Sequence, residues 1–145
     1  MIDIIKNQEF VSKSVVKMGS GQSFTSGGWG TPNADGELIE ASGNASWPLY
    51  QIFLNSSRED VAVSGCETVI CGGYYQAITD QFGTATYTVG KELIVKDSVL
   101  IPCPAVAGTY HVVGIFIKTD TAENEIGNTV DVIVFDRKDY LKIVA

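Results

Sequence analysis

No stretch of this 145-residue chain approaches the ~20 consecutive apolar residues that a membrane-spanning helix needs, so no helical anchor and no membrane partner are expected. Basic stripes are missing too. Lys13 and Lys17 come nearest, Arg137-Lys138 is flanked by Asp136 and Asp139, and the net charge is −7. A phosphate backbone is repelled by such a surface, which argues against a nucleic-acid partner; solubility alone accounts for the acidity. Histidine is nearly absent, with His111 alone, and cysteine is scarce and odd in number, with Cys66, Cys71 and Cys103. Cys66 and Cys71 bracket "CETVIC", which reads as a strand. At ~3.3 Å per residue they stand roughly 16 Å apart on opposite faces. A disulfide needs Cα atoms within about 7 Å, so these two do not pair. Cys103 sits between prolines in "IPCPA", and reduced, inert thiols are the expectation for all three. The opening "MIDIIKNQEFVSKS" lacks the basic start and long apolar stretch of a signal peptide, which points to synthesis in a cytosol.

What the sequence does hold divides by composition. Residues 19–46 carry seven of the fifteen glycines and read as a long loop or extended arm, with Phe24 and Trp29 as its large rings. Rings in so glycine-rich a stretch imply docking onto something, either this domain's own flank or a neighbour. Residues 2–18 fit neither the helical nor the strand period and read as short extended pieces. From Trp47 the text turns β-rich. The segments 47–55, 60–65, 67–73, 74–82, 85–89, 92–97, 109–117 and 128–136 are dense in β-branched and aromatic residues and separated by short Gly, Pro or Asn breaks. The expected fold is all-β: a small antiparallel barrel or sandwich (a β-tulip or SH3-like module) over 47–145, with a glycine-rich N-terminal arm over 1–46. "FDRKDYLKI" (135–143) is the one candidate for a short helix. "YTVGKELIVKD" (87–97) places Tyr87, Val89, Leu93 and Val95 on one parity but interrupts them with Gly90-Lys91, as at a barrel corner with Lys91 in solvent. Gly72-Gly73 and Gly114 read as two further corners.

Chemistry-bearing constellations are thin. A Cys–His or Ser–His pair with His111 is formally open, but no strand-to-helix elbow and no helix N-terminus support one. His111, in "TYHVVG", reads better as a strand histidine satisfied by a hydrogen bond. Zinc would need clustered Cys and His, which are scattered. Asp120, Glu123 and Glu125 in "DTAENE" offer oxygen ligands, yet their spacing fits no calcium loop and suits an acidic hairpin tip. "GSGQS" and "GGWG" lack the strand-to-helix setting of a phosphate cradle. Trp29, Trp47, Tyr50, Tyr74 and Tyr75 are the rings suited to stacking on a sugar, although Tyr74 and Tyr75 face opposite ways on a strand. No catalytic residue, metal ligand or cofactor is assigned.

One stretch resembles a known family. In 57–117 stand Asp60-Val61, then Gly73-Tyr74 through Phe82 ("G-x-Y-x-A-x-T-D-x-F" in loose form), Tyr87 through Val95 ("Y-x-V-G-x-x-L-x-V"), and Val112-Val113-Gly114. This pattern is similar to the C-terminal region of small virion proteins of tailed bacteriophages, the capsid decoration or cement proteins. It departs from that family before "VVG", where "KDSVLIPCPAVAG" replaces a glycine-rich turn. The resemblance implies a β-rich module on the outer surface of a phage capsid that stabilises the shell. It also implies synthesis in the host bacterial cytoplasm, the major capsid protein as partner, and a homo-oligomer, often a trimer. Phe10, Phe24 and Trp29 are then the candidate partner-contact residues of an arm that orders on docking. A tail or baseplate adhesin domain binding a host sugar or protein is the main rival. A hydrolase using Cys103 or a serine with His111 is a third reading.

Overall fold

The computed structural model describes residues 1–54, 65–124 and 126–145, with backbone alone at 6–13 and 54. Among them run nine strands and no helix: β1 (Ile2–Lys17), β2 (Trp29–Pro32), β3 (Leu38–Glu40), β4 (Tyr50–Leu54), β5 (Cys66–Thr79), β6 (Glu92–Lys96), β7 (Val99–Pro102), β8 (Gly108–Glu123) and β9 (Thr129–Val144). They form one curled antiparallel sheet, a half-barrel, in the order β3-β2-β4-β5-β9-β8-β6-β7, with β1 beside β5. The all-β expectation holds.

Several boundaries differ from the sequence reading. Segments 67–73 and 74–82 merge into β5, because Gly73, at φ +99°, lets the strand bulge instead of breaking. The register against β1 slips there, between Glu9↔Tyr74 and Ser12↔Gly72. Gly114 marks a second bulge, where β8 slips against both β6 and β9. A Cβ at Gly114 would lie 2.9 Å from the Asp136 carbonyl and from the Phe135 ring, so the close strand approach requires glycine. Gly90 sits in a turn, and Lys91 beside it is half-buried. Residues 85–89 are not a strand. The Tyr87 hydroxyl donates to the Gly83 and Leu100 carbonyls at 2.7 and 3.1 Å, while its ring packs on Phe82 and Phe116, which fixes a loop. The candidate helix over 135–143 is instead part of β9, whose backbone pairs with β8 along nearly its whole length. Residues 60–64 lie outside the described residues.

The arm also needs correction. β1 is one bulged strand along β5, and residues 19–46 contribute β2 and β3 to the sheet. Trp29 has no exposed surface: it packs in the central core with Leu49, Ile70, Tyr75, Leu93, Ile133 and Phe135. It therefore has none to offer a neighbour. The glycines around it permit tight packing; at Gly30 a Cβ would meet Leu38 at 2.8 Å. Phe24 is half-buried against a smaller cluster of Leu38, Ile52 and Val69. The Phe10 side chain lies outside the described residues; its backbone is in β1, where the register slips.

This placement fixes a test. Trp29→Ala should lower the unfolding free energy of the isolated chain by about 3–5 kcal/mol, the usual cost of deleting a buried large ring. Phe24→Ala should cost visibly less, by urea denaturation of both variants. Equal, small losses would return Trp29 to a peripheral arm.

Candidate functional site

β1 occupies one edge of β5 along its length, so β4 and β9 share the other. Residues 68–70 of β5 pair with β4, and 76–79 pair with β9 at 133–136. Between them, around the Gly72-Gly73 bulge, the sheet splits. Beyond Arg137, β9 continues with β8 alone. A groove of about 290 Å³ opens in this fork, between Cys71-Gly72 on one side and Asp139–Leu141 on the other, with Trp47, His111 and Val113 around it.

Arg137 closes the root of the fork. Its guanidinium is buried, 4.7 Å from the Trp29 ring centroid and 5.9 Å from that of Tyr75. Its Nε donates to both oxygens of Asp139 at 3.1 and 3.2 Å. One terminal nitrogen donates to the Tyr75 hydroxyl and the other to the Leu49 carbonyl, both at 3.1 Å. Tyr75 donates in turn to Gln51 at 2.6 Å, and Gln51 donates to the Gly27 carbonyl at 3.1 Å. Burial opposes the charge on Arg137, yet Tyr75 and Asp139 hold its pKa above normal. Burial raises the Tyr75 pKa, with Arg137 pulling the other way.

The groove collects Cys71, His111 and Asp139, a set that invites a catalytic reading. Their bonds point elsewhere. The backbone N–H of Trp47 donates to His111 Nδ1 at 2.9 Å, so neutral His111 carries its proton on Nε2 and has no second acceptor nitrogen. Asp139 is spent on Arg137. Burial pushes the Cys71 thiol up, against the pull of Arg137 and a hydrogen bond with Ser14. A thiol so shifted is a poor nucleophile. Cys103 packs with Tyr110 and Val112, on the face of β8 opposite His111, so these two are not brought together. Burial raises its pKa as well. All three cysteines are free thiols, and His111 is satisfied in its strand by a hydrogen bond.

Of the candidate sugar-stacking rings, Trp29 and Tyr75 are core residues, and Tyr50 is half-buried. Trp47 is 62 % exposed at the groove, and Tyr74 is exposed beneath Lys138. Trp47 gains its place from a contact distant in sequence, which no local pattern announces. Asp120 and Glu123 lie in the last residues of β8, paired with Val132 and Thr129, and the turn to β9 follows them. Asn124 Oδ1 accepts from the N–H groups of Ile126 and Asn128, and Asp120 is 3.3 Å from Lys118. A hydrogen bond from the Thr121 N–H, then Lys118, lowers the Asp120 pKa. Glu125 lies outside the described residues. Among those described, no three His, Cys, Asp or Glu side chains cluster as metal ligands.

No known protein family, curated protein or solved structure matches this chain.

On the outer face of β9, Glu92 binds Lys142 and accepts from the Tyr140 hydroxyl at 2.6 Å. Lys142, then Tyr140, lowers the Glu92 pKa. Burial and the bond to Glu92 push Tyr140 up to about 12. The hydrogen bond with Glu92 raises Lys142. A depressed carboxylate stabilises the fold above its unfolded pKa of about 4.3, and that contribution is lost as pH falls through the lower folded value. A raised phenol stabilises below its unfolded value of about 10 and loses the contribution as pH rises toward 12. Urea midpoints measured against pH should therefore show a smaller acid decline in Glu92→Gln than in wild type. In Tyr140→Phe the alkaline decline above about 10 should shrink. Unchanged limbs in both variants would mean that this triad does not form in solution.

Proposed function

We propose that this chain is a virion structural protein that binds the outer surface of a tailed-phage capsid and stabilises the shell, with the major capsid protein as partner. One observation carries the reading. At the fork, each group suited to chemistry is bonded within its own chain, while Trp47, Tyr140 and Leu141 remain exposed. Such a surface is equipped for contact rather than for proton transfer. The family resemblance of 57–117 supplies the shell as partner, and the acidity suits an outer face remote from packaged DNA. A homo-oligomer assembled in the host cytoplasm before docking fits the same role.

A second reading is favoured by Trp47 alone. An exposed indole beside a groove is what a sugar-binding adhesin domain uses. Because Trp29 is fully buried, indole fluorescence that responds to added glycan would report Trp47.

Copy number in purified particles tests the proposal: a shell protein should be present in hundreds per virion, an adhesin in a handful. His111→Ala and Cys103→Ser, made separately, should retain particle binding to within their effect on folding stability. Greater losses would favour a catalytic or metal role.

A further inference from the structure

We propose that His111 makes the Trp47 rim of the groove a pH-dependent element: the neutral imidazole seats the rim, and the imidazolium releases it. This goes beyond the capsid reading and does not rest on it. The rim belongs to the segment leading from β3 into β4, which is pinned on both sides of Trp47. Upstream, the Gly43 N–H donates to Asp97 Oδ1 at 2.7 Å, and the Ala45 N–H donates to the Val95 carbonyl at 3.0 Å. Downstream, the Thr31 hydroxyl donates to the Pro48 carbonyl at 2.8 Å, and Leu49 is buried in the core. Between these anchors Ser46 and Trp47 are exposed. Among the described residues one hydrogen bond holds them, from the Trp47 N–H to His111 Nδ1 at 2.9 Å. The seat of the rim is therefore concentrated in a single titratable atom.

Protonation removes that seat. Nδ1 accepts only while the ring is neutral, and in the imidazolium both ring nitrogens are donors. Two N–H groups would then face each other, and each must turn to water or to another acceptor. His111 is the chain's only histidine, the one side-chain type whose ordinary charge change falls between about pH 5 and 8. Its surroundings supply nothing that would keep the rim closed in acid. From β9, Asp139 lines the groove with its oxygens on Arg137, while Tyr140 and Lys142 are bound to Glu92. An imidazolium drawn toward Asp139 would leave Trp47 as surely as one facing water. β5 contributes the Cys71 thiol, and β6 ends in the exposed Lys96. On β8 itself the neighbouring Tyr110 donates to the Val106 carbonyl at 2.8 Å. Residues 42–49 carry no charged side chain. Acid thus turns a fixed wall of the groove into a mobile one while the anchors on either side stay in place.

Backbone amide relaxation measured by NMR on the full chain tests this. At about pH 7.5 the Ser46 and Trp47 amides should show order parameters near the ~0.85 of rigid backbone. At about pH 5 they should fall below about 0.6, while Ala45 and Leu49 stay rigid. His111→Asn sets an amide oxygen, which does not titrate, near the position of Nδ1; His111→Ala supplies no acceptor. Both variants should lose the pH response, and in His111→Ala the rim should be mobile at either pH. Order parameters elsewhere in β8 and β9 report whether each variant is folded. A wild-type rim equally ordered at both pH values, or a His111→Ala variant that keeps the wild-type response, overturns the proposal.

Discussion

The buried guanidinium of Arg137 is the constraint around which this half-barrel is organised. A charge removed from water is tolerated only where its partners are complete and well aimed. Here a carboxylate, a phenol, a backbone carbonyl and an indole face supply them, from β9, β5, the entrance to β4 and β2. Loss of any one partner leaves the others around an under-compensated charge, which costs more than the bond itself. The requirement fixes where β9 leaves β5, why Leu49 must approach, and why Trp29 cannot swing out. The Trp29 indole N–H has no acceptor among the described residues, and the guanidinium, itself only a donor, meets the ring face without satisfying it.

Because Arg137 consumes Asp139, and Trp47 consumes the acceptor nitrogen of His111, the fork is electrically quiet although the chain carries −7 overall. Recognition there falls to apolar surface and exposed backbone. Long-range repulsion between acidic surfaces acts at distances near the Debye length, about 8 Å at physiological salt, whereas apolar burial acts in contact. A neutral seam in an acidic surface is thus the place where contact can outweigh repulsion.

Much of this was legible locally. Leu93–Val95 and the run from Tyr110 to Phe116 are strands for the reason their β-branched and aromatic residues suggest, and the glycine pair at 72–73 and Gly114 do mark bulges. Tyr87 was misleading: its parity with Leu93 suggested a strand, but its hydroxyl has better partners in Gly83 and Leu100. The apolar spacing in "FDRKDYLKI" allowed a helix until β8 supplied a partner strand. The glycine-rich segment concealed a core tryptophan because Trp29 is explained by Arg137, far along the chain. For the same reason the fork was invisible: β5 changes partner from β4 to β9, and that exchange is written in pairings between distant segments.

The edges of the sheet are not treated alike. β7 ends at Pro102 and is bridged at Leu100 by Phe82; β3 is bridged at Leu38 by Met18. Proline and such bridges are common means of blunting a sheet edge against unwanted pairing. The end of β9 has neither, but its register against β8 slips between Arg137 and Tyr140, at the point where it leaves β5. Lys138, for which no ion pair with a described residue is seen, lies over the Tyr74 ring at 5.7 Å. Shielding is thus local: the outer side of β1, β8 beyond Phe116 and the end of β9 have no strand partner among the described residues.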